Sequence, residues 1–373
     1  MKIAIIGNGT KNNDFKQLSD GGRIKVALYV EMLRKEGHDV FLIDLDNWTK
    51  RPFKIVDQIR NHVKRSDVIL IMGGPKGSRI IIPLVNFFNR NKRKRIVFCP
   101  LGIGTLDKLL RGKSEQEVND FIRCVDFQKI KDKKMRKELR KLDLILPETK
   151  VLTNAYQQFY EISNCVTLTN FRFMDDSDLH FPSYVLIEGE PLKIIFVSRV
   201  KEDKGILDLA QCVAELNEKY KKIIFSLDIY GEMQLEKDNE DYLLSLKNKG
   251  VSYNGVLLKT EVIGTIKKYL MFSLPTRYYG EGTPGALVES LIAGVPVLVS
   301  SYSQVNALIQ DNENGIIYEI GNKEDLKNKL LYIYKNPEKI IAMRKAAFES
   351  GKKFLYSGNR ELFLSSILGD QNK

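Results

Sequence analysis

The sequence predicts an α/β chain of two doubly wound, Rossmann-like domains of similar size. Three observations carry this. At 373 residues the chain is longer than one hydrophobic core usually serves. Strand-sized apolar runs alternate with helical patterns in two successive series. A polar, acidic stretch interrupts that alternation near the middle. Repeated β-α alternation builds parallel sheets, whose ligand crevices lie at the carboxyl ends of the strands.

The first series runs "KIAIIG" (2–7), "DVFLID" (39–44), "DVILIM" (67–72), "RIVFCP" (95–100) and "LDLILP" (142–147). Continuous apolar runs of this length suit strands covered on both faces. Helical patterns fill the gaps at 22–36, 53–65, 77–90, 114–141 and 149–161, and Gly37 closes the first as a C-terminal cap. Residues 170–192 then carry two prolines and a cluster of acids, which reads as a linker. The second series is "KIIFVS" (193–198), "IIFSLDIYG" (223–231), "VSYNG" (251–255), "YLMFSLP" (269–275), "VPVLVS" (295–300) and "NGIIYEI" (314–320). Its helices are expected at 204–219, 237–248, 259–269, 284–293 and 322–335. The helical tail has no strand left to feed. The expected domains are therefore 1–170 and 171–353, with 354–373 packing back onto the first.

Composition narrows the class. Apolar residues make up 43% and charged residues 28%, as in ordinary globular proteins. No apolar run approaches the roughly 18–20 residues of a membrane span, and the N-terminus reads as a first strand rather than a secretory signal. The four cysteines (Cys99, Cys124, Cys165, Cys212) lie far apart without metal-ligand spacing. A reducing cytoplasm and no bound metal are the expectations. The net charge of +12 is uneven: residues 1–170 hold 33 Lys and Arg against 19 Asp and Glu, the remainder 26 against 28. "NRNKRKR" (89–95) and "KIKDKKMRKELRK" (129–141) dominate the basic half. Such a half attracts anionic surfaces, and membrane lipid is favoured over nucleic acid because exposed aromatics are not interleaved with the cations.

Four stretches carry candidate chemistry. In "TRYYGEGTPGALVESLIAGVPVLVS" (276–300), a strand-exit loop leads into a helix whose first amides, at Gly285 and Ala286, can meet an anion. Pro284 fits the first helical turn. Glu281 precedes the helix and Glu289 lies inside it, about five residues up at ~1.5 Å per residue. Carboxylates accept hydrogen bonds from vicinal hydroxyls, so the pair suits sugar and ribose. Between them lie Gly282, Thr283 and Gly285. In "IIFVSRVKEDKGILDLA" (194–210), Arg199 and Lys204 occupy a strand exit where a diphosphate would lie. Gly21 and Gly22 precede the first helix and permit close backbone approach. Tyr230 and Gly231 in "DIYGE", with Val256 in "YNGVL", could border a nucleobase. The "GNG" at 7–9 lacks the third glycine of a dinucleotide fingerprint.

In order and spacing these stretches resemble the retaining GT-B glycosyltransferases of family four (glycosyl transferases group 1). The resemblance rests on Glu281 and Glu289 as E-x7-E, on Arg199 with Lys204-Gly205, and on Gly21-Gly22. It extends to "GHDV" after the first helix and to "IQDNENGIIYEIGNKEDL" near the end. It covers the second half nearly end to end and is looser over 45–170. It implies a GT-B fold, with two Rossmann-like domains facing a deep cleft. It implies transfer from a nucleoside diphosphate sugar, with UDP expected, without metal or other cofactor. Arg199 and Lys204 would hold the diphosphate, Glu289 the ribose, and Glu281 would face the donor sugar. The acceptor would be a glycan or lipid-linked oligosaccharide of capsule or exopolysaccharide assembly, handled at the cytoplasmic membrane face. Two departures stand out. The family's histidine after the fourth strand is replaced by Cys99-Pro100 in "FCPLGIGTLD", and Ser198 replaces the glycine before the arginine. The missing histidine leaves open a non-catalytic nucleotide-sugar-binding partner of another transferase. A nucleotide-sugar 2-epimerase is a further alternative, and a nucleic-acid-binding protein a more distant one.

Overall fold

A computed structural model describes residues 1–9, 21–91, 94–102, 106, 132–174, 179–181, 183–278, 281–302 and 304–369, without the side chains of residues 75 and 76. The helical pattern expected over 114–131 and part of each basic cluster lie outside these residues.

The chain divides into two compact units, each formed from more than one stretch. The first comprises Met1–Asn170, Gly280–Thr283 and Asn359–Lys373; the second comprises Phe171–Tyr279 and Pro284–Gly358. The loop 280–283, expected in the second domain, thus groups with the first.

The first unit is a parallel sheet of β1 (Lys2–Gly7), β2 (Asp39–Asp44), β3 (Val68–Gly73), β4 (Arg95–Pro100) and β5 (Leu144–Ile145), in the order β2-β1-β3-β4-β5. Helices α1 (Gly21–Lys35), α2 (Pro52–Arg65), α3 (Pro75–Phe88), α4 (Lys133–Leu139) and α5 (Lys150–Tyr160) connect them. The apolar runs do not alternate because both sheet faces are covered: Ile3 and Ile5 are as buried as Ala4 and Ile6. Side-chain caps start two helices. Thr149 Oγ1 accepts from Leu152 N at 3.2 Å, and Asp132 from Met135 N at 3.3 Å.

The second unit is a parallel sheet of β6 (Leu192–Val197), β7 (Phe225–Tyr230), β8 (Val251–Tyr253), β9 (Met271–Leu274), β10 (Val297–Ser300) and β11 (Gly315–Tyr318), ordered β11-β10-β9-β6-β7-β8. Its helices are α6 (Ile206–Lys219), α7 (Lys237–Ser245), α8 (Val262–Ile266), α9 (Gly285–Ile292), α10 (Lys323–Lys335) and α11 (Pro337–Lys352). The order places β6 and β9 at the centre, where strand direction of travel reverses and ligands bind in such sheets.

Three details differ from the sequence reading. Helix α8 covers only part of 259–269. Pro284 is the cap of α9 rather than a residue of its first turn. The helical tail is broken after Lys352 and resumes as α12 (Tyr356–Leu368). At the break, Arg172 N donates to Phe354 O and Tyr356 N to Arg172 O, both at 2.8 Å. Beyond it, residues 359–369 close the first unit. Phe363 meets the Tyr29 ring edge-on at 4.9 Å, and Arg95 donates to the carbonyls of Ile367 and Ser366, each at 3.0 Å.

Candidate functional site

In the second unit, the loops leaving β6, β7, β8 and β9 are joined by hydrogen bonds into one rim at the carboxyl end of the sheet. Ser198 N donates to Tyr230 O at 3.1 Å and Val200 N to Glu232 O at 2.9 Å, linking the β6 and β7 exits. Gly231 N donates to Gly255 O at 2.8 Å, and the Tyr253 hydroxyl to Gly231 O at 3.0 Å, linking β7 to β8. Arg277 N donates to Asp203 O at 2.8 Å, linking β9 back to the β6 exit. Arg277 also forks onto both oxygens of Asp208 on α6, each at 2.7 Å.

Two glycines allow these approaches. Gly231 has φ +143°, and a Cβ there would lie 1.7 Å from Ser198 O. Gly205 has φ +67°, and its Cβ would lie 1.8 Å from Pro275 O. No other residue fits either position without moving backbone. The loop carrying Arg199 and Lys204 is therefore fixed at both ends. Lys204 is buried in it and Arg199 half-buried. Tyr230 is half-buried and Val256 half-exposed on the same rim. Asp228, below Tyr230, has both oxygens engaged, by the Tyr269 hydroxyl at 2.8 Å and Asn254 Nδ2 at 3.0 Å.

Helix α9 follows the β9 exit. Its Glu289 is not a surface acid: it is only 8% exposed. Arg172 Nε donates to Glu289 Oε1 at 2.6 Å, and Arg172 Nη1 to Phe171 O at 3.0 Å. A Cβ at Gly285 would collide with Arg172 Nη2, at 1.9 Å. The absence of a side chain at Gly285 thus admits a guanidinium, which the sequence reading did not anticipate.

In the first unit, Gly282 and Thr283, which follow Glu281, stand against Glu148. Thr283 N donates to Glu148 Oε2 at 3.2 Å, and a Cβ at Gly282 would lie 2.5 Å from that oxygen. Asn170 Nδ2 donates to Thr283 O at 3.0 Å. The Thr283 hydroxyl is buried and has no partner among the described residues. The other oxygen of Glu148 accepts from Lys25 Nζ at 2.7 Å, and both side chains are buried. Gly21 and Gly22 are the first two residues of α1 rather than a turn before it, one helical turn from Lys25. A Cβ at Gly21 would meet nothing within 4 Å among the described residues.

Cys99 stands at the end of β4, where the family's histidine was missed. It is buried, with its thiol 3.9 Å from the Tyr29 hydroxyl. Burial pushes the thiol and the Tyr29 hydroxyl up. Burial also opposes the Lys25 charge, but Cys99 and Glu148 beside it hold the ammonium above its usual range. Sequence reasoning missed this cluster, because each member looked like an ordinary helix, strand or turn residue.

Residues 181–350 match the family model of glycosyl transferases group 1. The chain is 25% identical over 167 residues, 44% of its length, to an uncharacterized glycosyltransferase of Methanocaldococcus jannaschii. It is 24% identical over 195 residues, 50% of its length, to the alpha-monoglucosyldiacylglycerol synthase of Acholeplasma laidlawii. These alignments span 40% and 46% of the two relatives. HepE from Anabaena, solved in complex with UDP-glucose, superposes with a TM-score of 0.68 at 12% identity, covering 99% of each chain. The fold is GT-B, as the sequence motifs implied. No helix among the described residues is long and apolar enough to cross a membrane.

Proposed function

We propose that this protein is a retaining, metal-independent glycosyltransferase that moves a sugar from a UDP-linked donor to a glycan or lipid-linked acceptor. One observation carries the reading: the Arg199–Lys204 loop is pinned by Gly205 and Gly231 to the neighbouring strand exits. Two cations held on a rigid loop at the sheet's carboxyl edge provide preorganised charge for a diphosphate leaving group. HepE, a GT-B protein solved with UDP-glucose, supports the choice of donor.

In this reading Arg199 and Lys204 bind the diphosphate and stabilise the charge that develops on it. Tyr230, Gly231 and Val256 border the base, and Glu289 takes the ribose. Glu281 faces the donor sugar, with the backbone of Gly282, Thr283, Pro284 and Gly285 near its hydroxyls and the phosphates. Gly21 and Gly22 open the first-unit side to a substrate. The lipid-glycosylating relative and the basic first half favour an acceptor at the cytoplasmic membrane face, in capsule or exopolysaccharide assembly.

A thermal-shift panel of nucleoside diphosphate sugars tests the donor, since a bound ligand raises the melting temperature by mass action. UDP-sugars should stabilise the protein and GDP- or ADP-sugars should not. Release of UDP with a suitable acceptor, persisting in chelator, would establish transfer, and the product's anomeric configuration would establish retention. Binding without UDP release for any acceptor would favour the non-catalytic partner, which the replacement of the family's histidine by Cys99 keeps in view.

A further inference from the structure

Glu289 is engaged on one side only. Oε1 accepts from Arg172 Nε at 2.6 Å, whereas Oε2 accepts from no described residue. The carboxylate is nearly buried, with 11% of the side chain exposed. Oε2 is thus the oxygen left available to a ligand.

Arg172 is itself held on three sides. Its backbone pairs with the chain at Phe354 and Tyr356. Nη1 is fixed on Phe171 O, and the guanidinium lies against Gly285, one helical turn before Glu289. A cation at the first turn of a helix opposes the helix dipole. Its placement there makes sense as half of a unit with Glu289.

We propose that Arg172 is a positioning residue for ribose recognition: it locks the Glu289 carboxylate through Oε1 and so presents Oε2 to a ribose hydroxyl. The proposal rests on the reading of Glu289 as the ribose-binding group. A carboxylate held through Oε1 by the Arg172 Nε–H is restrained from rotating to seek other donors. The result is selectivity for ribonucleotides, because a deoxy ligand lacks the hydroxyl that would donate to Oε2.

The test is calorimetry on the full chain with UDP, 2′-deoxy-UDP and 3′-deoxy-UDP. The wild type should bind UDP about tenfold to a hundredfold more tightly than at least one deoxy probe, the value of a hydrogen bond to a charged group. Arg172→Ala should bring that ratio close to one. Arg172→Lys, which keeps the charge but not the directed Nε–H, should restore it only in part. Glu289→Gln should abolish the ratio, and adding Arg172→Ala to it should change UDP affinity little, since the two residues act as one unit. A purely structural arginine would instead weaken all three probes alike and add fully to Glu289→Gln, which would overturn the proposal. Discrimination retained in Arg172→Ala, or in Arg172→Lys to the full extent should the alanine variant not fold, would overturn it while leaving the ribose reading intact. Equal binding of all three probes by the wild type would remove the ribose reading and the proposal with it.

Discussion

Lys25 and Glu148, 123 positions apart in the chain, form a buried ion pair in the first unit, with Nζ 2.7 Å from Oε1. The second oxygen of the same carboxylate receives the Thr283 amide. Removing one member of such a pair strands a buried charge, which costs about 3–5 kcal/mol, whereas replacing both with apolar groups is far milder. Lys25→Met should therefore lower the unfolding free energy by about 3 kcal/mol, and Lys25→Met/Glu148→Leu should recover most of that. Urea denaturation of the wild type, Lys25→Met, Glu148→Leu and the double variant decides. A double variant as unstable as the sum of its singles would show that the pair is not coupled.

The same lysine sets a pH dependence. Its folded value lies above the ordinary 10.5, so the stability it contributes is complete below that pH and is lost as pH rises through the folded value. Above about pH 10.5 the wild type should lose stability more steeply than Lys25→Met. Urea midpoints measured across the alkaline range give both slopes.

The diphosphate assignment predicts that Arg199→Ala and Lys204→Ala each reduce turnover by about a hundredfold or more, the usual effect of deleting one preorganised donor of positive charge. Glu289→Ala should act mainly on UDP affinity. Near-full turnover in both cation variants with the right donor would displace the diphosphate from this loop.

The rim depends on Gly231 for its shape. Gly231→Ala places a carbon on Ser198 O and a side chain at φ +143°, which should cost about 2–4 kcal/mol and separate the β6 and β7 exits. A lowered melting temperature together with weakened UDP binding is the expected result. An unchanged melting temperature would mean that the two loops are not held together by this contact.

β1 and β4 were legible in the sequence because two covered faces demand unbroken apolar runs, and the edge strand β2, with Phe41 exposed, also coincides with its run. Lys204-Gly205 stood out through the family resemblance, whereas the backbone requirement at Gly205 appears only in the structure. The pairs were not legible. Glu148 and Lys25 belong to no motif the sequence offers. Arg172 fell in the stretch read as a linker, 117 positions from Glu289. Periodicity reports which face of an element is buried, and it carries no information about which distant side chain meets which. The missing side chain at Gly285 was visible, but not that Arg172 lies against it.

The division of the first unit has a consequence for how the molecule is made. A ribosome delivers all five of its strands by residue 145, yet the helix that meets Tyr29 and Arg95 comes only with residues 359–369. Domains usually fold as they emerge during synthesis. Here the earlier unit must wait, with that surface uncovered, while the whole later unit is translated. The nascent chain is thus most exposed to misassembly in its oldest part. A stop codon near position 358 would injure the half of the protein made first.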